Sequence, residues 1–394
     1  MVLPVSSADL RSLLKLETTF GDRLVFIGGD AISLSEPPRV TFGRQWNRKA
    51  THTGSASNQG SNKGKYRGTL SLACEVKINA AGTAPQQGVM CELAMGSQVA
   101  GIKYDHIGTG VAVPSGQFAY SIGTSLYQQI NGLVLTKLEL EGEGGATTML
   151  RAEGEFAELS GIRGSPEVLG IEAIGESTIE LKSGHCKYLR GPSTTGDNAQ
   201  DFLVKFGSED NGGAGYLVTD VDYTTDILTV TPTMVNALAA DDLVSVVLPT
   251  ATLDGSEVDN LESQITIFGS TVEFIKSLFS VQTGFLLLDK EAGTAKPNRA
   301  VRTKDRLTTG SVSFYLLDAT AEAWTEAMEG NTTAVTVRHG PNTAGSRIQA
   351  KALKALITKA DSLELPGNDA ATYTAEWEAE QSAAADDEAQ LDFS

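Results

Sequence analysis

Gly68-Thr69-Leu70-Ser71-Leu72 is answered 242 residues later by Gly310-Ser311-Val312-Ser313-Phe314. Each has a glycine, then apolar residues alternating with small hydroxyl residues. Period two with β-branched or aromatic members is the pattern of a half-buried strand. Outward from these cores the likeness continues. The first strand runs on through Cys74, Val76 and Ile78 with Ser71, Ala73, Glu75 and Lys77 between. A short helix is expected after each strand, over Gly88–Gly96 and Ala319–Gly330, each closed by a glycine able to take the left-handed C-cap. The distance from opening to closing glycine is 28 residues in one copy and 20 in the other, and the eight-residue loop Asn79–Gln86 accounts for the difference.

Further on, Leu135-Thr136-Lys137 matches Ile357-Thr358-Lys359 at an offset of 222, and Glu155-Phe156 matches Glu376-Trp377 at 221. Four matches in one order indicate an internal duplication. Each later pair reads as a strand, a turn and a returning strand bearing an aromatic, with one residue of difference in the turn.

Between the copies, residues 175–249 differ in character. Strands are expected over Phe202–Phe206, Tyr216–Val221 and Ile227–Val230, separated by Gly/Asn/Asp-rich turns. They suggest a small inserted sandwich or barrel, with Pro232–Ala239 as its one possible helix. Ser6–Lys15, with Ser6 and Asp9 three apart, resembles a capping box and predicts an N-terminal helix. The expected class is therefore mainly β. Its divisions are an arm over 1–20, a β domain over 21–174, the small inserted all-β domain over 175–249, and a second β domain over 250–394. The 394 residues, 41% of them apolar, suffice for several cores.

The net charge of −18 excludes the basic footprint of a dedicated nucleic-acid binder. Along the chain it is uneven. Arg44–Arg67 holds six cations and no acid, and Lys296–Arg306 holds five cations and one acid. These segments carry +6 and +4, leaving −28 for the remainder, and both precede the repeated glycine strand. Loops so placed are expected to reach an acidic surface on a neighbouring subunit. The candidate interface residues are Arg44, Trp46, Arg48, Lys49, Lys63, Lys65, Lys296, Arg299, Arg302, Lys304 and Arg306, with Trp46 as an anchor.

Constellations for chemistry are sparse. Three cysteines without CxxC exclude a disulfide scaffold or a zinc ribbon. There is no HExxH, GxSxG, Walker lysine loop or strand-borne GxGxxG. Asp220, Asp222 and Asp226 have calcium-like spacing, but lack the turn glycine and a following bidentate Glu, so a hairpin with Asp caps is expected. His185 and Cys186, as neighbours on a strand, would point to opposite faces. Cys74 and Cys91 read as core thiols, and Trp324 and Trp377 as core fillers of the second copy. No apolar run approaches the ~20 residues of a membrane span, and no signal peptide is visible. The expectation is a soluble protein with no cofactor, no metal and no catalytic residue.

Several stretches resemble one family. Leu14–Gly21 (LKLETTFG) is similar to the opening of tail tube proteins (major tail proteins) of long-tailed bacteriophages, the siphoviruses. Arg67–Gly96 resembles that family's strand, G-T-A-P loop and short helix. Tyr120–Leu133 followed by Ala146–Phe156 resembles its central hairpin, and Ala384–Ser394 its acidic last strand. No single motif is diagnostic; their order covers most of the chain outside the insert.

The resemblance implies β-sandwich or barrel domains with short flanking helices, assembled into stacked rings whose inner strands join in a continuous barrel. Two domains per chain imply a ring of three chains with pseudo-sixfold symmetry. It further implies a virion structural protein, assembled in the bacterial cytoplasm and located in the tail. Its partners would be further copies of itself, a tape-measure protein in the lumen, tail terminator and tail-tip proteins, and DNA in transit during genome ejection. An acidic lumen would let DNA slide, and Glu75, Lys77, Lys137, Glu139 and Lys359 are candidates to line it. The alternative function is a β-rich virion or surface adhesin, or a carbohydrate-binding protein, which would display more aromatics than the 6% present.

Overall fold

The computed structural model describes residues 10–21, 24–48, 61–99, 103–106, 111–123, 126–190, 202–251, 253, 255–288, 297–303, 305–315, 329–360, 372–382 and 388–393. The protein is mainly β and contains a six-stranded closed barrel. The first repeat holds β1 (Leu10–Leu16), β2 (Arg39–Arg48), β3 (Ser61–Glu75), β4 (Lys77–Ile78), helix α1 (Gly88–Met95), β5 (Gly96–Val99), β6 (Lys103–His106), β7 (Gly116–Ile122), β8 (Leu126–Glu143), β9 (Met149–Phe156) and β10 (Glu158–Arg163). The insert holds β11 (Thr178–Glu180), β12 (Leu189–Arg190), β13 (Leu203–Phe206), β14 (Tyr216–Asp222), β15 (Ile227–Thr231) and β16 (Val244–Val246). The second repeat holds β17 (Ser256–Glu257), β18 (Gln264–Ile267), β19 (Ser270–Gln282), β20 (Phe285–Leu287), β21 (Ala300–Arg302), β22 (Leu307–Tyr315), β23 (Thr332–His339), β24 (Ile348–Ala360), β25 (Thr372–Ala379) and β26 (Gln390–Asp392).

The duplication governs the architecture. Strands β2, β3, β9 and β8 lie side by side, and β19, β22, β25 and β24 repeat that order. The two sets are joined edge to edge by β8 and β19, from Lys137↔Gln282 to Glu143↔Lys276. The result is one antiparallel run of eight strands. The second set then curls closed, because β23 and β18 link β24 back to β19. Closure of this barrel protects edges that would otherwise template aggregation.

One contact marks the equivalence of the copies. Gly68 faces Phe156 across β3 and β9, and Gly310 faces Trp377 across β22 and β25. A Cβ on either glycine would stand 2.1 Å from a ring atom, so each aromatic lies over the bare backbone. Phe42 stacks on Phe156 at 5.6 Å, and Phe279 lies 5.8 Å from Trp377. The same three-part device thus stands in each repeat, with aromatics supplying the largest apolar burial.

The hairpins differ in register. Both long strands bulge at the shared threonine, between Leu135 and Lys137 and between Ile357 and Lys359. Leu135 faces Gly154, yet Ile357 faces Trp377, not the matching Ala375. A slip of two residues leaves every side chain on its own face, so the core pattern survives it.

Three sequence expectations change. Leu10–Leu16 is a strand, not helix, paired along its length with β7. Its sheet is buried on both faces: Leu14 belongs to the main core and Leu13 to that of the insert. Pro232–Ala239 forms no helix. The insert is a single sheet, β11-β15-β14-β13-β16, and not a closed sandwich. Its inner residues Val204, Phe206, Tyr216 and Leu228 share one core with Leu13, Ala119, Tyr127 and Ile162 of the first repeat, which supplies the missing layer. Val168, upstream of residue 175, already belongs to that core. Helix α1 forms where expected, ending at Gly96 with φ 94°. The counterpart expected over Ala319–Gly330, with Trp324, falls almost wholly outside the described residues.

Candidate assembly surface

The eight-strand run has one face in the core and one facing outward. In β9 the alternation places Leu150, Ala152 and Phe156 inside and Arg151, Glu153 and Glu155 outside. Rows of outward residues cross strand boundaries: Arg39, Ser71, Glu153 and Lys137 are successive partners, as are Arg151, Glu139, Ser280, Thr309 and Glu378. Four cations of this face are held by neighbouring carboxylates. Lys137 Nζ lies 2.6 Å from Glu139, Arg151 Nε 2.9 Å from Glu141, Lys359 Nζ 3.5 Å from Glu376, and Arg67 pairs with Glu155. A face with its cations so engaged offers little to phosphate. Of the residues expected to line a lumen, Glu75, Lys137, Glu139 and Lys359 lie on this face. Lys77 does not: it stands on β4 beside β17, 3.6 Å from Glu257.

Two edges of the run stay open among the described residues. β2 pairs only with β3. On β24, the side covered by β23 up to Leu356 carries no partner at Ile357–Ala360. The corresponding side of β8 takes β7 over Leu126–Leu133 and then β19 over Lys137–Glu143.

The basic segments prove to be parts of two arms, and the described one docks by apolar contact. After β19, Thr283 donates from its backbone N to Thr136 O at 3.1 Å and from Oγ1 to Leu135 O at 2.8 Å. The chain then crosses the outward face of the first repeat, where Phe285 and Leu287 bury Val134, with Phe20 and Val113 alongside. Strand β21 returns beside β20, and Arg302 sits 5.6 Å above the Phe285 ring. Arg306, expected at an intersubunit joint, is turned inward: its side chain is 5% exposed and lies 3.1 Å from Glu388. Lys65 is buried as well. Exposed ion pairs contribute little, whereas a buried Phe or Leu contributes about 1.5–3 kcal/mol, so apolar residues set the seat of the arm. Arg299 lends its backbone O to Leu288 N. The backbones of Arg44, Trp46, Arg48 and Lys63 lie in the β2–β3 arm; Lys49, Lys296 and Lys304 fall outside the described residues.

Val134, Phe285 and Leu287 were not singled out by the sequence. Their signal is a two-residue alternation too short to separate from ordinary core. A polar hub was likewise missed. Asn260 Oδ1 lies 3.1 Å from Thr148 Oγ1, 3.0 Å from Ser263 Oγ and 2.9 Å from His339 Nδ1, all buried. It joins the first repeat to the second beside the β8–β19 junction. Burial depresses the His339 imidazole to about 3, so the ring is neutral.

The candidates for chemistry resolve into structure. Asp222 accepts from Thr224 N at 2.7 Å, closing its hairpin turn, while Asp226 accepts from Gly184 N at 2.7 Å and Cys186 N at 3.2 Å. Among the described residues no group of His, Cys, Asp or Glu is placed to hold a metal ion. His185 and Cys186 stand on a 3-10 turn, not a strand, and His185 Nδ1 accepts from Glu167 N at 2.9 Å. Burial pushes the thiols of Cys74 and Cys186 up to about 12, and Cys91 upward too, which makes all three poor nucleophiles.

No family model matches the chain, and no curated protein matches it.

Proposed function

We propose that the chain is a non-enzymatic structural subunit of a bacteriophage tail tube, self-assembling into stacked rings that conduct DNA. The observation that carries this reading is the β8–β19 junction. There the last strand of one repeat accepts the first strand of the next, and the chain ends its run with the same two kinds of edge open. A second copy can continue the run by setting its β2 against β24. The chain supplies eight strands, an even number, so the antiparallel alternation carries across each joint.

Three chains would close a ring of roughly 24 strands. At about 4.8 Å per strand the circumference is about 115 Å and the backbone diameter roughly 37 Å, more with strand tilt. The outward face, with its carboxylates and neutralised cations, would line that lumen. A tape-measure protein and then DNA would pass along it, and terminator and tip proteins would meet the end rings. Negative-stain microscopy of the concentrated protein tests the reading: rings or tubes are expected, with mass photometry of a ring giving three chains. Persistent monomers at high concentration, even beside a tail-tip complex, would sink it.

A further inference from the structure

The seat of the second arm has a counterpart in the second repeat. At the repeat offset of 222, Leu356 stands where Val134 stands, just as Ile357 stands for Leu135. Leu356 lies on the outward face of β24 opposite Glu378, with Ile357 turned into the core. Leu353, three residues back and brought to the same face by the bulge between Ala352 and Ala355, is 53% exposed. In the first repeat Val134 is wholly covered by Phe285 and Leu287 of the arm that follows β19. A single exposed leucine carries no meaning by itself. Here the covered Val134, equivalent of the neighbouring Leu356, gives it one.

The arm that should cover it follows β2, the equivalent of β19. That arm departs at a bulge between Arg44 and Trp46. It carries Trp46 as its aromatic residue, with Arg44 and Arg48 on either side. The strand end that borders the leucines carries Glu378 opposite Leu356, with Glu376 and Glu380 paired to Lys359 and Lys354. Within one chain the arm and the leucines stand at opposite ends of the eight-strand run. Seven inter-strand steps, roughly 34 Å measured along the curved sheet, lie between them, and among the described residues no pairing joins β2 to β24. The occupant is therefore a second copy.

We propose that Leu353 and Leu356 form a docking seat for the Trp46-bearing arm of a second copy of this chain. The inference rests on the assembly reading above and adds the residues of the joint. Its apolar centre has a charged border, the usual anatomy of an interface.

The test pairs two measurements on the full chain. Leu353→Glu should leave the monomer's thermal midpoint unchanged, because that side chain is half in water, and should raise the concentration needed for assembly by about tenfold or more. Separately, Trp46→Cys and Leu353→Cys proteins are mixed, assembled and treated with a short bis-maleimide. A covalent dimer should form in the mixture and not in either protein alone; Cys74, Cys91 and Cys186 are buried and contribute no background. Rings that form at the wild-type concentration from Leu353→Glu, with no dimer from the assembled mixture, would overturn the seat and leave the assembly reading standing. Failure of the wild-type chain to assemble at all would overturn both.

Discussion

Replacing Gly310 by Ala isolates the contact on which both repeats are built. The added Cβ would lie 2.1 Å from Trp377 Cζ2 and 2.3 Å from Cε2. Ordinary carbon contacts are about 3.5–4.0 Å, so the indole must retreat by about 1.5 Å. It has nowhere to go: Trp377 is fully buried, with Phe279 beside it. Neither Gly310 nor Gly68 has a positive φ, so the substitution adds no backbone strain and the cost is purely steric. Overpacking of this kind costs about 1–3 kcal/mol. Gly68→Ala should cost a similar amount, since its Cβ would stand 2.1 Å from Phe156 Cζ. The assay is urea unfolding followed by tryptophan fluorescence, with a double-mutant cycle. In the Gly310→Ala background, Trp377→Leu should cost about 1–2 kcal/mol less than it does alone, because the smaller side chain relieves the clash. Additive effects would refute the contact, and a neutral Gly310→Ala beside a costly Gly68→Ala would refute the equivalence of the repeats.

Acid should loosen the junction between the repeats. His339 is held neutral with its pKa lowered to about 3, against about 6.5 unfolded. Its contribution is therefore present above pH ~6.5 and is lost as pH falls toward ~3, by up to about 2–3 kcal/mol at pH 4.5; His339→Gln should remove that part of the slope when urea midpoints at pH 7 and 4.5 are compared. Cys74, Cys91 and Cys186 should resist a thiol-reactive dye in the native protein and react together on unfolding, and fast labelling of any one would contradict its burial. Arg306→Ala should cost about 1–3 kcal/mol through loss of its buried ion pair with Glu388, whereas Arg299→Ala should stay within about 0.5 kcal/mol; equal melting temperatures would show that Arg306 is not structural.

Much of the fold was legible in local pattern. The alternation of β3 and β22 placed Leu70, Leu72, Val312 and Phe314 in the core, where they are. The Gly96 stop placed the end of α1. Leu10–Leu16 was not legible, because a strand buried on both faces has no alternation. Leu13 and Leu14 serve different cores there, and adjacent leucines suit a helix equally well. The charge of the arms was visible, but its use was not. Arg306 and Lys65 point inward, and Phe285 and Leu287, not the cations, seat the described arm. The insert's strands were readable, yet its missing second layer was not, since that layer comes from β1, β7, β8 and β10 more than 60 residues away in places.

The amino-acid sequence by itself determined the mainly β class and the duplication, because each is written in spacing along the chain. Only the tertiary structure decided that β8 meets β19, that β18 and β23 close a barrel, and that Val134 is covered while Leu353 is bare. The physical reason is that a half-buried strand advertises which face it buries and says nothing of which edge it will accept. Backbone hydrogen bonds are the same on every strand, so the choice of neighbour is made by the packing of whole sheets.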